Sequence, residues 1–159
     1  MVIIVFGVSG SGKSTIANGL SEKLGIPYYD ADDFHPQENI LKMSNGQSLN
    51  DQDRLPWLKI LAKNIGDWSK GKGGVLACSA LKENYRAILS SESSSKINWV
   101  YLAGTKELIK ARMDNRKGHY MSSKLLDSQF ADLEVPEYGI HVDISQTPDI
   151  LIKEIITKL

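Results

Sequence analysis

Five short apolar runs punctuate this chain, and helical spacing fills the stretches between them. Val2-Ile3-Ile4-Val5-Phe6, Ile26-Pro27-Tyr28-Tyr29, Val75-Leu76-Ala77-Cys78, Trp99-Val100-Tyr101-Leu102 and Ile140-His141-Val142-Asp143-Ile144 read as strands. Runs of this length without strict alternation are the mark of strands buried on both faces. Helices are predicted over 13–24, ending at Gly25, and over 36–43, before a turn at Asn45-Gly46. A longer one starts near Asp51, with Leu55, Leu58, Leu61, Ala62 and Ile65 at helical spacing, and breaks at Gly71-Lys72-Gly73-Gly74. Further helices are expected over 82–89, 106–116 and 122–133, and Pro148 opens the last. Strands alternating with helices predict α/β architecture around one parallel sheet. No repeat or long linker divides the chain, so 1–159 reads as a single domain.

The turn after the first strand carries the strongest chemical signal. Gly7-Val8-Ser9-Gly10-Ser11-Gly12-Lys13-Ser14 is a complete G-x-x-x-x-G-K-[ST] loop placed between a buried strand and a helix. In that context loop N–H groups and the helix N-terminus converge on phosphate oxygens. Gly7, Ser9, Gly10, Ser11, Gly12, Lys13, Ser14 and Thr15 are the expected nucleotide-binding residues. Lys13 is expected to reach the β- and γ-phosphates and the Ser14 hydroxyl to ligate Mg²⁺. The chain therefore reads as a nucleoside-triphosphate-binding protein.

In open parallel sheets ligands sit outside the carboxyl ends of the strands, and other polar groups collect there. Asp30 and Asp32 close the second strand, expected beside the phosphate-loop strand, where alternation would put both carboxylates on one face. Such a pair suits holding Mg²⁺ through water and orienting or deprotonating an acceptor hydroxyl. Turn and cap duties are the alternative. His35 is a hydroxyl-binding candidate beside them. Arg54 lies among apolar neighbours near a helix start, expected either to recognise an anion or to pair with Asp51 or Asp53. Lys82 and Arg86 are placed by an i, i+4 spacing on one helix face at the mouth of the site, as substrate-binding groups. Arg112 and Arg116, with Gly118-His119 following, suggest a short lid whose arginines meet building charge on the triphosphate. A basic helix end matching its own dipole is the alternative there. Cys78 reads as core.

The charge balance narrows the class. Nineteen basic and nineteen acidic residues cancel, so no face suggests nucleic acid or a membrane surface. One cysteine allows no intramolecular disulfide and fits a reducing, cytoplasmic setting. The chain opens straight into its first strand, leaving no expected room for a signal peptide, and no apolar run approaches membrane-span length.

Beyond the phosphate loop, a set of motifs resembles the gluconate kinase (gluconokinase) family over nearly the whole chain. They are Asp30-Ala31-Asp32 with His35-Pro36, Asn39 with Lys42-Met43 and Gly46, Leu49-Asn50-Asp51-Gln52-Asp53-Arg54 and Pro56-Trp57-Leu58. Cys78-Ser79-Ala80-Leu81-Lys82 with Tyr85-Arg86, Arg116-Lys117-Gly118-His119-Tyr120-Met121 and Ser128-Gln129-Phe130 with Leu133-Glu134 complete the set. The resemblance implies a P-loop NTPase three-layer α/β/α sandwich with a five-stranded parallel sheet, like a nucleoside monophosphate kinase with a short lid. It also implies ATP-dependent phosphorylation of D-gluconate at its 6-hydroxyl, with Mg²⁺, in a homodimer. A substrate-binding helical segment is expected at about 36–70 and the lid at about 116–123. Catalytic duty then falls to Lys13, Asp32, Arg112 and Arg116, and metal duty to Ser14 and Asp30. Asp32, His35, Arg54, Lys82, Arg86 and His119 take the substrate. Residues 135–139 depart from the family pattern in being short and lacking an acidic tail, which bears on the nucleotide wall near Ser145-Gln146-Thr147. Another small-metabolite kinase of this fold, shikimate kinase-like, and a nucleotide-binding regulator without catalysis are the competing readings.

Overall fold

A computed structural model describes residues 1–115 and 123–159 of the chain. Strands β1 (Val2–Phe6), β2 (Tyr28–Asp30), β3 (Gly74–Ala77), β4 (Asn98–Ala103) and β5 (Ile140–Asp143) form one sheet in the order β2-β3-β1-β4-β5. Every pairing is parallel, as the strand–helix alternation predicts. Helix α1 (Lys13–Leu24) follows β1, α2 (Gln37–Ser44) and α3 (Asp51–Lys70) precede β3, and α4 (Glu83–Ser90) precedes β4. Helices α5 (Lys106–Asp114), α6 (Ser123–Asp132) and α7 (Pro148–Lys158) complete the chain.

Both faces of the sheet are covered, which explains the unalternating strands. Ile3 and Val5 of β1 pack with Ile16 and Leu20 of α1 and Leu151, Ile152 and Ile155 of α7. Val2, Ile4 and Phe6 turn the other way, onto Trp57, Leu58, Leu61 and Ile65 of α3 and Leu89 of α4. Burying such side chains contributes about 1.5–3 kcal/mol each, so the sheet is a rigid base for the loops at its carboxyl edge. Among the described residues no helix is long and apolar enough to cross a membrane.

Two local features differ from the sequence expectation, and a third agrees with it. β3 lies between β1 and β2, so the acidic strand is one place removed from the phosphate-loop strand. β2 stops at Asp30, and Ala31–Phe34 turns into a 3₁₀ helix that Asp30 caps by accepting from Asp32 N–H at 2.9 Å. Strand alternation therefore does not set the direction of Asp32; the capped turn does. Helix α3 begins where expected because Asn50 and Asp53 form a reciprocal capping box, at 2.8 and 2.9 Å.

Candidate active site

The phosphate loop is a preformed cradle. Gly10 and Gly12 take the left-handed region, at φ 79° and 97°, where side chains other than glycine are strained. A Cβ on Gly10 would also stand 2.8 Å from Met113 Cγ. The Ser11 hydroxyl is buried and has no hydrogen-bond partner among the described residues. A native protein rarely tolerates such a group unless a ligand completes it, and a phosphate oxygen at the loop would do so. Lys13 Nζ donates to the carbonyls of Gly7 and Val8, both at 3.1 Å. Burial draws its pKa down, while Asp32 and Asp30 are among the acids that oppose the shift. The ammonium is thus poised between the loop and the carboxylates. Ser14 and Thr15 lie exposed on the first turn of α1.

The acid–histidine end is held by aromatic packing. Trp57 donates from its indole to Ala31 O at 2.8 Å, which pins the turn bearing Asp32. His35 stacks on Trp57 with ring centroids 4.3 Å apart. Asn39, itself buried, places its amide 3.2 Å from His35 Nδ1, and donation there leaves the proton on Nε2. That nitrogen faces Asp32 Oδ1 at 4.0 Å. Burial lowers the His35 pKa despite Asp32, which favours the neutral ring. Crowding by the surrounding protein and then the Asp30 charge raise the Asp32 pKa. Its side chain is nevertheless 85% exposed, so the acid remains open to a substrate.

Next to this end lie two adjoining cavities of ≈ 400 and ≈ 200 Å³ that share Arg54, Trp57 and Ser79. The first takes in Asp32 and His35, the second Tyr85, Gln129 and Asp132. Arg54 Nη1 donates to Tyr85 Oη at 3.2 Å and stands 3.6 Å from Asp51 Oδ1. Lys82 reaches the same oxygen at 3.5 Å, and Tyr85 donates its hydroxyl to it. Asp53 pairs instead with Lys42 at 2.6 Å. The ion-pair alternative for Arg54 is therefore met in part, by Asp51, and Arg54 still lines the cleft.

Arg86 departs from expectation. Its side chain is 1% exposed, and it points inward rather than sharing a face with Lys82, which precedes α4 as its N-cap residue. Nη1 donates to Ala80 O at 2.6 Å and Leu81 O at 3.2 Å; Nη2 donates to Glu134 O at 2.6 Å and Glu83 at 2.9 Å. Nε donates to the Tyr138 hydroxyl at 2.9 Å, and the guanidinium lies over the Phe6 ring. Every donor nitrogen is engaged, so no arm is free for a substrate. Arg86 instead fastens the loop at Ala80, whose φ of 40° is strained for a residue with a Cβ. Segment 134–138 serves this anchor. The nucleotide side is walled separately: a cavity of ≈ 390 Å³ runs from Gly10, Gly12 and Thr15 past Arg112 and Asn115 to Gln146 and Pro148. Arg112 donates to Ile144 O, holding α5 against β5 beside the loop. Arg116, His119 and most of the expected lid lie outside the described residues.

Three contributors carry little local signal. Gln129 bonds to Ser9, Asn39 orients His35, and Tyr85 ties Arg54 to Asp51. Asn39, Tyr85 and Gln129 belong to the family motifs above, but a partner up to 120 positions away leaves no pattern in the nearby sequence. Cys78 is core, as expected, with burial pushing its thiol up to about 12.

Comparison with known proteins bears on the same residues. The shikimate kinase family model matches residues 9–138. A probable gluconokinase of Rattus norvegicus is 46% identical, the match covering 91% of this chain and 90% of that protein. Among solved structures, a gluconokinase from Sinorhizobium meliloti superposes with a TM-score of 0.89 at 37% identity, covering 98% of this chain and 89% of that one. Shikimate kinase from Aquifex aeolicus reaches 0.59 at 20% identity, over 99% and 95% of the two chains, a likeness of fold.

Proposed function

The chain belongs to the gluconokinase family, inside the wider group that the shikimate kinase model describes, and from that premise we propose that it transfers the γ-phosphoryl group of ATP to the 6-hydroxyl of D-gluconate. The products are 6-phosphogluconate and ADP. One observation carries the assignment. The cavity beside the phosphate loop has an exposed carboxylate and a neutral histidine at one end and Arg54 farther along. An aldonate has hydroxyls for the first and a carboxylate for the second. Arg54 and Lys82 meet Asp51 only at 3.6 and 3.5 Å, long against the roughly 2.7–2.9 Å of a strong charge-assisted bond. Arg54 lines both cavities, and Lys82, which lines the neighbouring hollow beside Asp51 and Asp132, would approach the carboxylate from there.

In this reading Asp32 accepts the hydroxyl proton and keeps the oxygen in line with the γ-phosphorus, and His35 Nε2–H holds a neighbouring hydroxyl. Lys13 and Arg112 meet the charge that accumulates on the transferring group, with Arg116 and His119 assigned to the closing segment. Mg²⁺, held by Ser14 and through water by Asp30, would neutralise phosphate charge. A homodimer in the cytoplasm belongs to the same reading; sedimentation of the purified chain tests the assembly.

Three results are expected. Lys13→Ala folds but loses at least ~10²-fold in kcat, the scale of one electrostatic contact in a dry site; near-normal turnover by the folded variant contradicts its role. Arg54→Lys keeps the charge but loses the planar fork. Its kcat/KM for gluconate should fall with ATP affinity little changed, whereas weakened ATP binding alone would place Arg54 elsewhere. Phosphorus and carbon NMR of the product locate the new ester, and a phosphate on any carbon but the sixth would refute the assigned regiochemistry.

A further inference from the structure

We propose that Gln129 is a positioning residue that couples the phosphate loop to the acceptor cleft, so that nucleotide and gluconate each tighten the other's binding. The inference rests on the functional reading above and goes beyond it. Gln129 Oε1 accepts from the Ser9 backbone N–H at 2.7 Å, and Nε2 donates to the Ser9 hydroxyl at 3.0 Å. Both halves of the amide are thus spent on one residue of the phosphate loop. The same side chain lines the acceptor cavity together with Ser128 and Asp132 of its own helix, facing Arg54 and Tyr85. One group therefore touches both substrate sites.

Helix α6 is placed to transmit what Gln129 feels. Asp127 pairs with Lys106 of α5 at 2.7 Å. Just past the helix end, Glu134 N–H donates to Leu81 O at 2.8 Å, on the loop that Arg86 fastens. The helix is tied at the phosphate loop, at α5 and at the 80–81 loop. A nucleotide that fixes Ser9 fixes Gln129, and with it the α6 wall of the acceptor cleft. Gluconate against that wall restrains Ser9 in turn, and binding linkage makes the two effects equal.

The test measures AMP-PNP affinity by calorimetry with and without saturating gluconate, alongside gluconate turnover. In the wild type, gluconate should tighten AMP-PNP about fivefold or more, the lower end of ordinary coupling between sites. Gln129→Met keeps the length and helix preference of the side chain while removing both bonds. It should cut the coupling to below about twofold and leave binary AMP-PNP affinity within about threefold. Ser9→Ala removes the hydroxyl partner and should also reduce coupling, which keeps the proposal testable if Gln129→Met fails to fold. Full coupling in either folded variant overturns it, as does lost binary affinity with coupling intact. A wild type that turns gluconate over without mutual tightening refutes this proposal alone; one that does not turn gluconate over refutes the functional reading instead.

Discussion

Asp32→Asn is expected to fold, to bind ATP normally and to lose roughly 10²–10⁴-fold in kcat, the range for removing a general base. Phosphoryl transfer leaves the protein mainly positioning and charge stabilisation to perform, so the acceptor oxygen must be held in line with the γ-phosphate. Asp32 is placed for this by a capped turn pinned to Trp57, and asparagine would preserve that turn. It can hydrogen-bond but cannot take the proton. The pH dependence gives a second readout. Crowding and the Asp30 charge raise the Asp32 pKa, and the base works only when ionised. In the wild type kcat/KM should therefore fall as pH drops through a value above the ordinary carboxylate range, and this limb should vanish in the variant. Asp30→Asn should instead raise the Mg²⁺ concentration needed for half-maximal rate. Rescue of Asp32→Asn by excess Mg²⁺, without rescue of Asp30→Asn, would exchange the two roles.

The second large effect is on stability. Arg86→Met should destabilise the fold by about 3–5 kcal/mol, the cost of breaking a buried charged network by removing one partner. The carbonyls of Ala80, Leu81 and Glu134 would each lose a donor from this guanidinium. For a domain of this size, a loss of about 3 kcal/mol corresponds to a fall of about 6–12 °C in Tm. Thermal unfolding checks it. A variant as stable as the wild type, with only the gluconate KM raised, would return Arg86 to the substrate site and overturn the anchoring role.

The contrast between Asp32 and Arg86 shows what the sequence could disclose. The buried strands, the phosphate loop and the α3 start were legible because each is written in neighbouring residues: an apolar run, a glycine spacing, an apolar stripe at helical spacing. The i, i+4 spacing behind Lys82 and Arg86 was equally local, but it misled. Lys82 precedes the helix as its N-cap, and the direction of Arg86 is set by carbonyls at residues 80, 81 and 134. The insertion of β3 between β1 and β2 was likewise illegible, since strand order depends on crossovers rather than on any one segment. The Ser9–Gln129 contact joins residues 120 positions apart, beyond the reach of any periodicity. Local chemistry names the participants here, while long-range packing decides which of them face the substrate.

The central claim, phosphoryl transfer from ATP to gluconate, is tested most directly by coupled ADP release over a panel of acceptors. D-gluconate, other aldonates, shikimate and nucleoside monophosphates are each supplied with ATP and Mg²⁺. The cleft predicts gluconate-dependent ADP release, with kcat/KM for gluconate at least ~10²-fold above that for shikimate, whose ring cannot present a carboxylate and a terminal hydroxyl at the two ends of an extended chain. Preferential turnover of shikimate, or ADP release that no acceptor stimulates, would contradict it.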